Sequence, residues 1–339
     1  MSKHRSEARQ LRVEIETWPF KTPVRITGYT MLGANVVVVR IEQDGQSGRG
    51  EAAGVYYLGE DVDHMLERIE TVRPLIEAGI DRETLRRLLP PCGARNALDC
   101  ALWDLEAKLS GQHVWQLAGL EQPGPLLTTF TCGATAPEQM AAAAREYSGA
   151  RAIKLKLTGE PIDADRVRAV RAALPEVWLG IDANQGFTQS SLERLMPVLV
   201  QAHVALIEQP FPVGQDALLE NFESPIPIAA DESLQCLADL PAMAGRFDVV
   251  NIKLDKCGGL SEGLAIARLA RDLKLGVMVG NMSGTSLAMA PAMLLGQLCS
   301  VVDLDGPVFL KTDRPDGVRY AGGKVIGSAG LWGEAGSLR

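Results

Sequence analysis

The sequence predicts an α/β fold in which a barrel of parallel strands, each returned by a helix, follows a smaller α+β domain. Three observations predict it. From Leu126 onward, apolar strand-like runs alternate with amphipathic helical segments for about eight cycles. Charged residues stand at the ends of those runs: Lys154-x-Lys156, Asp182-x-Asn184, Glu208, Asp231-Glu232, Lys253 and Asp303-x-Asp305. From Lys156 the steps to 182, 208, 231 and 253 are 26, 26, 23 and 22 residues, each about one strand plus one returning helix. The chain up to about Gly124 has a different texture, and the breaker cluster Gln122-Pro123-Gly124-Pro125 marks the change.

Taken in order, 11–18 and 34–43 read as strands, and 61–78, 81–89 and 95–109 as helices. The expected barrel strands are 127–132, 152–157, 178–183, 205–209, 226–230, 249–254, 276–280 and 300–304. Helices lie between them; 165–174 and 261–273 are amphipathic, with a polar residue near the start suited to capping. Strands alternating with helices imply a parallel sheet, and eight of them imply closure into a barrel. Gly322-Gly323, flanked by 318–320 and 324–326, is a hairpin signal. This tail is expected to leave the barrel and pack on the N-terminal domain. The expected units are therefore 1–124, 125–309 and 310–339.

Composition narrows the function classes. A length of 339 residues suits roughly two domains, and 46% hydrophobic with 22% charged residues is ordinary for a soluble globular protein. The net charge is −8 and the Lys and Arg residues are scattered, so nucleic acid is not an expected partner. Residues 1–10 are polar with no apolar run behind them, so a cytoplasmic protein is expected. The longest apolar-rich stretch, 286–302, contains Pro291 and Gln297 and is too short for a bilayer span, so no membrane partner is expected. Six cysteines show no CxxC spacing and read as reduced core residues.

Strand residues two apart share a face, so Lys154 and Lys156 point one way and Ile153, Leu155 and Leu157 the other. With the apolar face against helices, both lysines turn into the barrel; the alternative is a surface edge strand. Mutual repulsion of two close ammonium groups favours the neutral form of one and brings a general base within reach. Asp182, Glu208 and Asp231 end three successive strands on the interior parity. Converging carboxylates repel unless a cation joins them, and hard oxygen ligands without His or Cys favour magnesium. Singly, Asp182-Ala183-Asn184 reads equally as a turn and Asp231-Glu232-Ser233 as a helix cap. Lys253 points inward with Asn251 on the next strand, so Lys156 and Lys253 approach a metal-bound substrate from opposite sides. That arrangement suits moving a proton from one face of a carbon to the other.

The segments Lys154-Leu-Lys156, Gly180-Ile-Asp-Ala-Asn-Gln-Gly186, Ile207-Glu-Gln-Pro210, Ala230-Asp-Glu-Ser233 and Asn251-Ile-Lys253, the last followed by Gly258-Gly259, resemble the muconate-lactonising subgroup of the enolase superfamily. So do Ala94-Arg-Asn-Ala-Leu-Asp99 and Leu102-Trp-Asp104 in the first domain. The resemblance implies a modified TIM barrel, (β/α)7β, with an α+β N-terminal capping domain completed by the C-terminal tail. It implies removal of the proton beside a carboxylate, with magnesium, one per subunit, stabilising the ene-diolate, a known pattern of this superfamily. Carried over residue by residue, Lys156 and Lys253 are the acid/base pair, Lys154 stabilises the carboxylate, and Asp182, Glu208 and Asp231 are ligands supported by Asn184 and Glu232. None of His4, His64, His113 and His203 lies at a strand end, which argues against branches using a His base. The resemblance also implies a homo-oligomer.

Asp303-Leu-Asp305-Gly306-Pro307 carries two carboxylates on one face, a natural anchor for an ammonium group, although Asp before Gly-Pro is also ordinary turn chemistry. It is similar to the Asp-x-Asp motif of dipeptide epimerases, which binds the substrate's amine. The expected function is therefore a magnesium-dependent dipeptide epimerase, with Ala-Glu dipeptides as first substrate. The alternatives are N-acylamino acid racemisation, cycloisomerisation or acid dehydration, and more remotely a non-catalytic binding barrel. Family analogy places Thr129, Thr131, Asn281 and Met282 near the substrate; each reads equally as a packed polar or core residue. Specificity is expected from loops 21–30 and 54–60. There Arg25 either meets an acidic side chain or faces solvent, and Tyr56 and Tyr57 either close over the substrate or pack at the barrel mouth. Gly258-Gly259 before a helix reads as a tight loop rather than a phosphate cradle.

Overall fold

The computed structural model describes residues 8–26 and 29–336. The chain opens with an antiparallel meander, β1 (Gln10–Ile26), β2 (Tyr29–Gln43) and β3 (Gln46–Ala52). The β2–β3 turn is Asp44-Gly45, with φ of 48° and 71°, the left-handed pair a two-residue hairpin requires. Sequence reading did not anticipate β3, because Ser47, Gly48 and Gly50 interrupt any apolar alternation. Both faces of β2 are buried: Val37, Val39 and Ile41 join the core of the N-terminal domain, and Val36 and Val38 the core it shares with the barrel. Three helices cover the sheet, α1 (Val62–Glu77), α2 (Arg82–Leu88) and α3 (Gly93–Ser110). Asp61 and Asp81 cap the first two by accepting from the backbone N–H of His64 and Thr84. No helix among the described residues is long and apolar enough to cross a membrane.

The second unit is an all-parallel sheet of eight strands in sequential order: β5 (Phe130–Cys132), β6 (Ala152–Lys156), β7 (Trp178–Asp182), β8 (Val204–Glu208), β9 (Ile228–Ala230), β10 (Val249–Ile252), β11 (Gly276–Val279) and β12 (Val301–Val302). The Thr129 N–H donates to the Val302 carbonyl at 2.9 Å, bringing the last strand back beside the first. Full helices return most strands, among them Asp163–Ala173 and Leu260–Asp272. Between β8 and β9, however, the connection holds only the 3-10 turn Asp216–Leu219. After β12 comes a 3-10 turn, Gly306–Phe309, instead of an eighth helix. The fold is thus the modified (β/α)7β barrel with an antiparallel N-terminal domain.

The single strand expected at 127–132 divides in two. Leu126–Leu127 forms β4, which leaves the barrel and pairs with the tail hairpin of β13 (Arg319–Ala321) and β14 (Lys324–Ile326). The hairpin itself therefore sits at the barrel's entry strand. The segments on either side of it reach the N-terminal domain: the Lys311 N–H donates to the Pro19 carbonyl at 2.8 Å and Arg314 pairs with Glu16 and Glu51 at 2.7 Å, while Trp332 Nε1 donates to the Cys100 carbonyl at 3.0 Å and the Gly333 N–H to Asp104 at 2.8 Å.

Strand parity organises the barrel interior. Outward residues such as Ile153, Leu155, Ile181, Ile207, Val250 and Val279 join the main core under the helices. Inward residues nearest the strand starts, Trp178, Leu206, Ala229, Val249, Met278 and Val301, pack on one another as a separate apolar plug. Further along the inward face stand the charged residues, directly above the plug on β8, β9 and β12 and beyond Gly180 on β7 and Asn251 on β10.

Candidate active site

Each barrel strand delivers its polar side chain at the C-terminal rim. Lys156, Asp182 and Glu208 end β6, β7 and β8; Asp231 and Lys253 directly follow β9 and β10. Asp182, Glu208 and Asp231 are buried, and one oxygen from each lies within 4.8 Å of the others. Three buried carboxylates this close are unfavourable without positive charge. The surrounding residues supply part of it: Lys156 Nζ donates to Asp182 at 2.5 Å, Lys154 Nζ lies 3.4 Å from Glu208 and 3.6 Å from Asp182, and Lys253 Nζ donates to Asp231 at 2.6 Å. Oxygen-only donors converging in this way fit a hard divalent cation.

The charges divide unevenly among the three. Burial alone would raise the Asp231 carboxyl, but Lys253 and Lys256 outweigh it and hold the group below its usual range. Asp182 is likewise lowered, with Lys156 and Lys154 overcoming burial. Glu208 is pushed up to about 8, by burial and then by Asp182. The sequence leaves open which of Lys154 and Lys156 repulsion would neutralise. At Lys154 burial opposes the charge, yet Asp303, Glu208 and Asp182 raise its pKa well above the ordinary value. Its nearest neighbours are carboxylates, so repulsion by the second ammonium group does not make it neutral. Lys253 is raised for the same reason, with Asp231 and Glu208 outweighing burial.

Around this centre the other expected residues are accounted for as follows. Asn184 accepts from Lys156 at 2.8 Å and donates to Glu232 at 3.2 Å; the second oxygen of Glu232 is buried without a hydrogen-bond partner. Asp303 accepts from Lys154 and from the Thr129 hydroxyl. Asp305 accepts from the Thr131 N–H at 2.7 Å, and burial followed by Asp303 pushes it up to about 6. Asn281 donates to the Asp303 carbonyl at 2.6 Å. A pocket of about 790 Å³, including its open mouth, is lined by Lys154, Lys156, Asn184, Glu232, Lys253, Asp303 and Asp305, and by Thr131, Asn281 and Met282. Thr129 is not in its wall. Tyr56 and Tyr57 contribute to the lining from the N-terminal domain, with ring centroids 5.3 Å apart. The Arg25 side chain lies outside the described residues.

Strand parity turned Asn251 inward without showing its partner, and it missed Lys256 and Gln209 as supports. Lys256, in the single-turn helix Leu254–Cys257, is buried and donates to Asp231 Oδ1 at 2.6 Å. Asn251 Nδ2 donates to Glu208 at 2.7 Å. Gln209 accepts from the Asp231 and Ser233 N–H groups at 2.9 and 3.1 Å. Its φ of 33° is left-handed, the one local signal being the proline that follows. Gly258-Gly259 forms the tight loop expected: a Cβ at Gly258 would lie 2.3 Å from the Arg95 guanidinium and one at Gly259 2.5 Å from Asp99. Arg95 donates to the Gly258 carbonyl at 3.0 Å and pairs with Glu262 at 2.9 Å, while Asp99 accepts from Ser261 Oγ at 2.6 Å. The motif in α3 thus docks on the loop behind Lys253.

An acidic triad on the C-terminal rim of a parallel barrel, flanked by lysines from two strands and roofed by a separate α+β domain, defines a metal-assisted enzyme of the enolase type. Residues 8–119 match the mandelate racemase/muconate lactonizing enzyme N-terminal domain, and residues 138–319 the enolase C-terminal domain-like model. The chain belongs to this family, and it is an isomerase. It is 40% identical to an L-Ala-D/L-Glu epimerase of Escherichia coli strain K12, over 94% of this chain and 99% of that protein. It is 41% identical to an N-acetyl-D-glutamate racemase of a Pseudoalteromonas species, over 73% and 78%. Among solved structures, an Agrobacterium tumefaciens enolase family member with homology to dipeptide epimerases, with bound sodium and L-Ala-L-Glu, superposes with a TM-score of 0.93 at 40% identity, covering 96% of this chain and all of that one. A dipeptide epimerase of Methylococcus capsulatus, complexed with Mg and L-Arg-D-Lys, gives 0.88 at 30% identity over 96% and 99%.

Proposed function

We propose that the protein is a magnesium-dependent dipeptide epimerase that inverts the α-carbon of the C-terminal residue, with L-Ala-D/L-Glu as its substrate. The observation carrying this reading is the placement of Lys156 and Lys253 on opposite sides of the Asp182–Glu208–Asp231 triad. The E. coli relative and the dipeptide-bound Agrobacterium structure support the substrate class. Asp182, Glu208 and Asp231 would hold the ion, which when bound would supply Lewis-acid stabilisation of the charge that develops on the substrate carboxylate. Lys154, held charged, binds that carboxylate. One of Lys156 and Lys253 takes the α-proton from one face, and the other returns a proton to the opposite face. Asn184, bridged to Glu232, orients Lys156. Asp303 and Asp305 receive the substrate ammonium group, and Thr129 and Thr131 fix those two carboxylates.

The Pseudoalteromonas relative favours a second reading, racemisation of an N-acylated glutamate, which has no free amine. Incubating L-Ala-D-Glu and N-acetylglutamate in heavy water with magnesium separates the two. Deuterium enters the α-carbon of the dipeptide under the first reading, and Asp303→Asn with Asp305→Asn abolishes that uptake. Uptake by N-acetylglutamate alone, or an unaffected double variant, would reject the epimerase.

A further inference from the structure

The backbone of the loop carrying Tyr56 and Tyr57 is fastened to the barrel by Asp255, and the Tyr57 hydroxyl accepts from Gln235 Nε2 at 3.2 Å. The N–H groups of Ala53 and Gly54 both donate to Asp255 Oδ1, at 2.9 and 3.2 Å. The next N–H, that of Val55, goes to Glu60 Oε2 at 3.3 Å, and the same oxygen accepts from the Gly93 N–H at 2.9 Å. Gly54 is left-handed, with φ of 74°, and a Cβ there would lie 2.8 Å from the Glu60 carbonyl. The loop therefore folds back on itself, and Asp255 ties its backbone to the barrel.

Asp255 is buried, and its electrostatic surroundings are unfavourable. Burial pushes its carboxyl up to about 7; the two N–H groups oppose this, and the carboxylates of Glu60 and Glu51 add to it. A buried carboxylate with further carboxylates around it is costly. What it obtains in return is a pair of charge-assisted hydrogen bonds, stronger and more directional than neutral ones. Its position in the chain says what those bonds connect. Within the stretch 253–256, Lys253 enters the pocket, Lys256 grips Asp231, and Asp255 reaches the loop on the other domain.

We propose that Asp255 is a positioning residue that sets the Tyr56–Tyr57 loop over Lys253 and thereby governs capture of the substrate. This rests on the pocket being the substrate site, as argued above, and one arm of the test is independent of it. Asp255→Ala removes the acceptor; Asp255→Leu removes it while keeping the volume. Asp255→Asn retains Oδ1 for both N–H groups. Backbone hydrogen–deuterium exchange in 53–60 is expected to rise about tenfold in the Ala and Leu variants and to stay unchanged in β6–β10. KM for L-Ala-D-Glu is expected to rise about tenfold, equivalent to about 1.4 kcal/mol, with kcat within about threefold of wild type. The Asn variant restores both values.

Unchanged exchange in 53–60, or faster exchange with KM unmoved, overturns the proposal. Should neither the Ala nor the Leu variant fold, exchange in the wild-type protein decides. Ala53 and Gly54 amides as protected as those of β6–β10 support the tether, and rapid exchange there rejects it. If no dipeptide is turned over at all, the functional reading fails while the exchange measurement still reports on the tether.

Discussion

Gly280 leaves room for two working side chains at once, and replacing it tests how tightly the site is built. It follows β11 on the inward parity, and its φ is not among the left-handed values, so alanine is compatible with the backbone. A Cβ there would lie 2.7 Å from Asn251 Oδ1, 2.9 Å from Asn251 Nδ2 and 3.0 Å from Lys253 Cε. Ordinary van der Waals contact begins at 3.4 Å, so Asn251 must withdraw by about 0.7 Å (3.4 − 2.7) and Lys253 by about 0.4 Å (3.4 − 3.0). Asn251 is the hydrogen-bond partner of Glu208, so the movement reaches both a ligand and an acid/base group of the proposed mechanism. Displacement of a reacting group by 1 Å costs about 100-fold in rate, and the smaller shifts here, scaled the same way, correspond to about 6- to 25-fold in kcat/KM. Overpacking of a filled interior costs about 1–3 kcal/mol of stability. Gly280→Ala is therefore expected to fold, to lose α-proton exchange with heavy water by about 6- to 25-fold, and to melt a few degrees lower. The assay is deuterium uptake at the α-carbon alongside a thermal melt. A folded variant with exchange within twofold of wild type would refute the claim that Asn251 and Lys253 are held to a few tenths of an ångström.

Two further predictions concern charge and stereochemistry. Glu208, with its pKa raised to about 8, contributes stability to the metal-free protein fully below about 4.5, the usual carboxyl value, and that contribution is lost as pH rises toward 8; Asp231 and Asp182, both lowered, contribute above about 4 and lose it only in stronger acid. Since the ion binds the ionised carboxylates, its stabilising effect should grow between pH 6 and 8, by up to about 1.4 kcal/mol per pH unit for each proton displaced, and melting shifts with and without saturating magnesium that match at both pH values would contradict this. Lys156→Ala and Lys253→Ala should each lose epimerisation by at least about 100-fold while still exchanging the α-hydrogen of one epimer, and a variant exchanging both epimers equally would break the two-sided arrangement.

How much of this was legible in the chain depends on where a residue sits relative to its strand. Lys154, Lys156, Asp182, Glu208, Asp231 and Lys253 were identifiable because a strand has a two-residue period and each stands on the face opposite an apolar neighbour. Contacts made across the barrel have no such local trace. Asp303 meets Lys154 from a strand 149 residues away. Neither its engagement nor the charged state of Lys154 could be read from repulsion between Lys154 and Lys156 alone. Lys256 escaped notice because it lies on a helical turn past the strand end, where strand parity no longer applies. The first barrel strand was read as continuous since Leu126 to Cys132 is uniformly apolar or β-branched, and only pairing with β14 reveals the break after Leu127. The role of Arg95 and Asp99 depends on two glycines more than 150 residues later.

The apolar plug beneath the carboxylates makes the barrel a cup and not a tube. With Trp178, Leu206, Ala229, Val249, Met278 and Val301 packed at the lower end, the pocket holding the lysines opens at the upper one, where Tyr56 and Tyr57 of the other domain frame its mouth. A change in the residues framing that mouth would alter which molecules are admitted while leaving the floor and walls of the cup as they are.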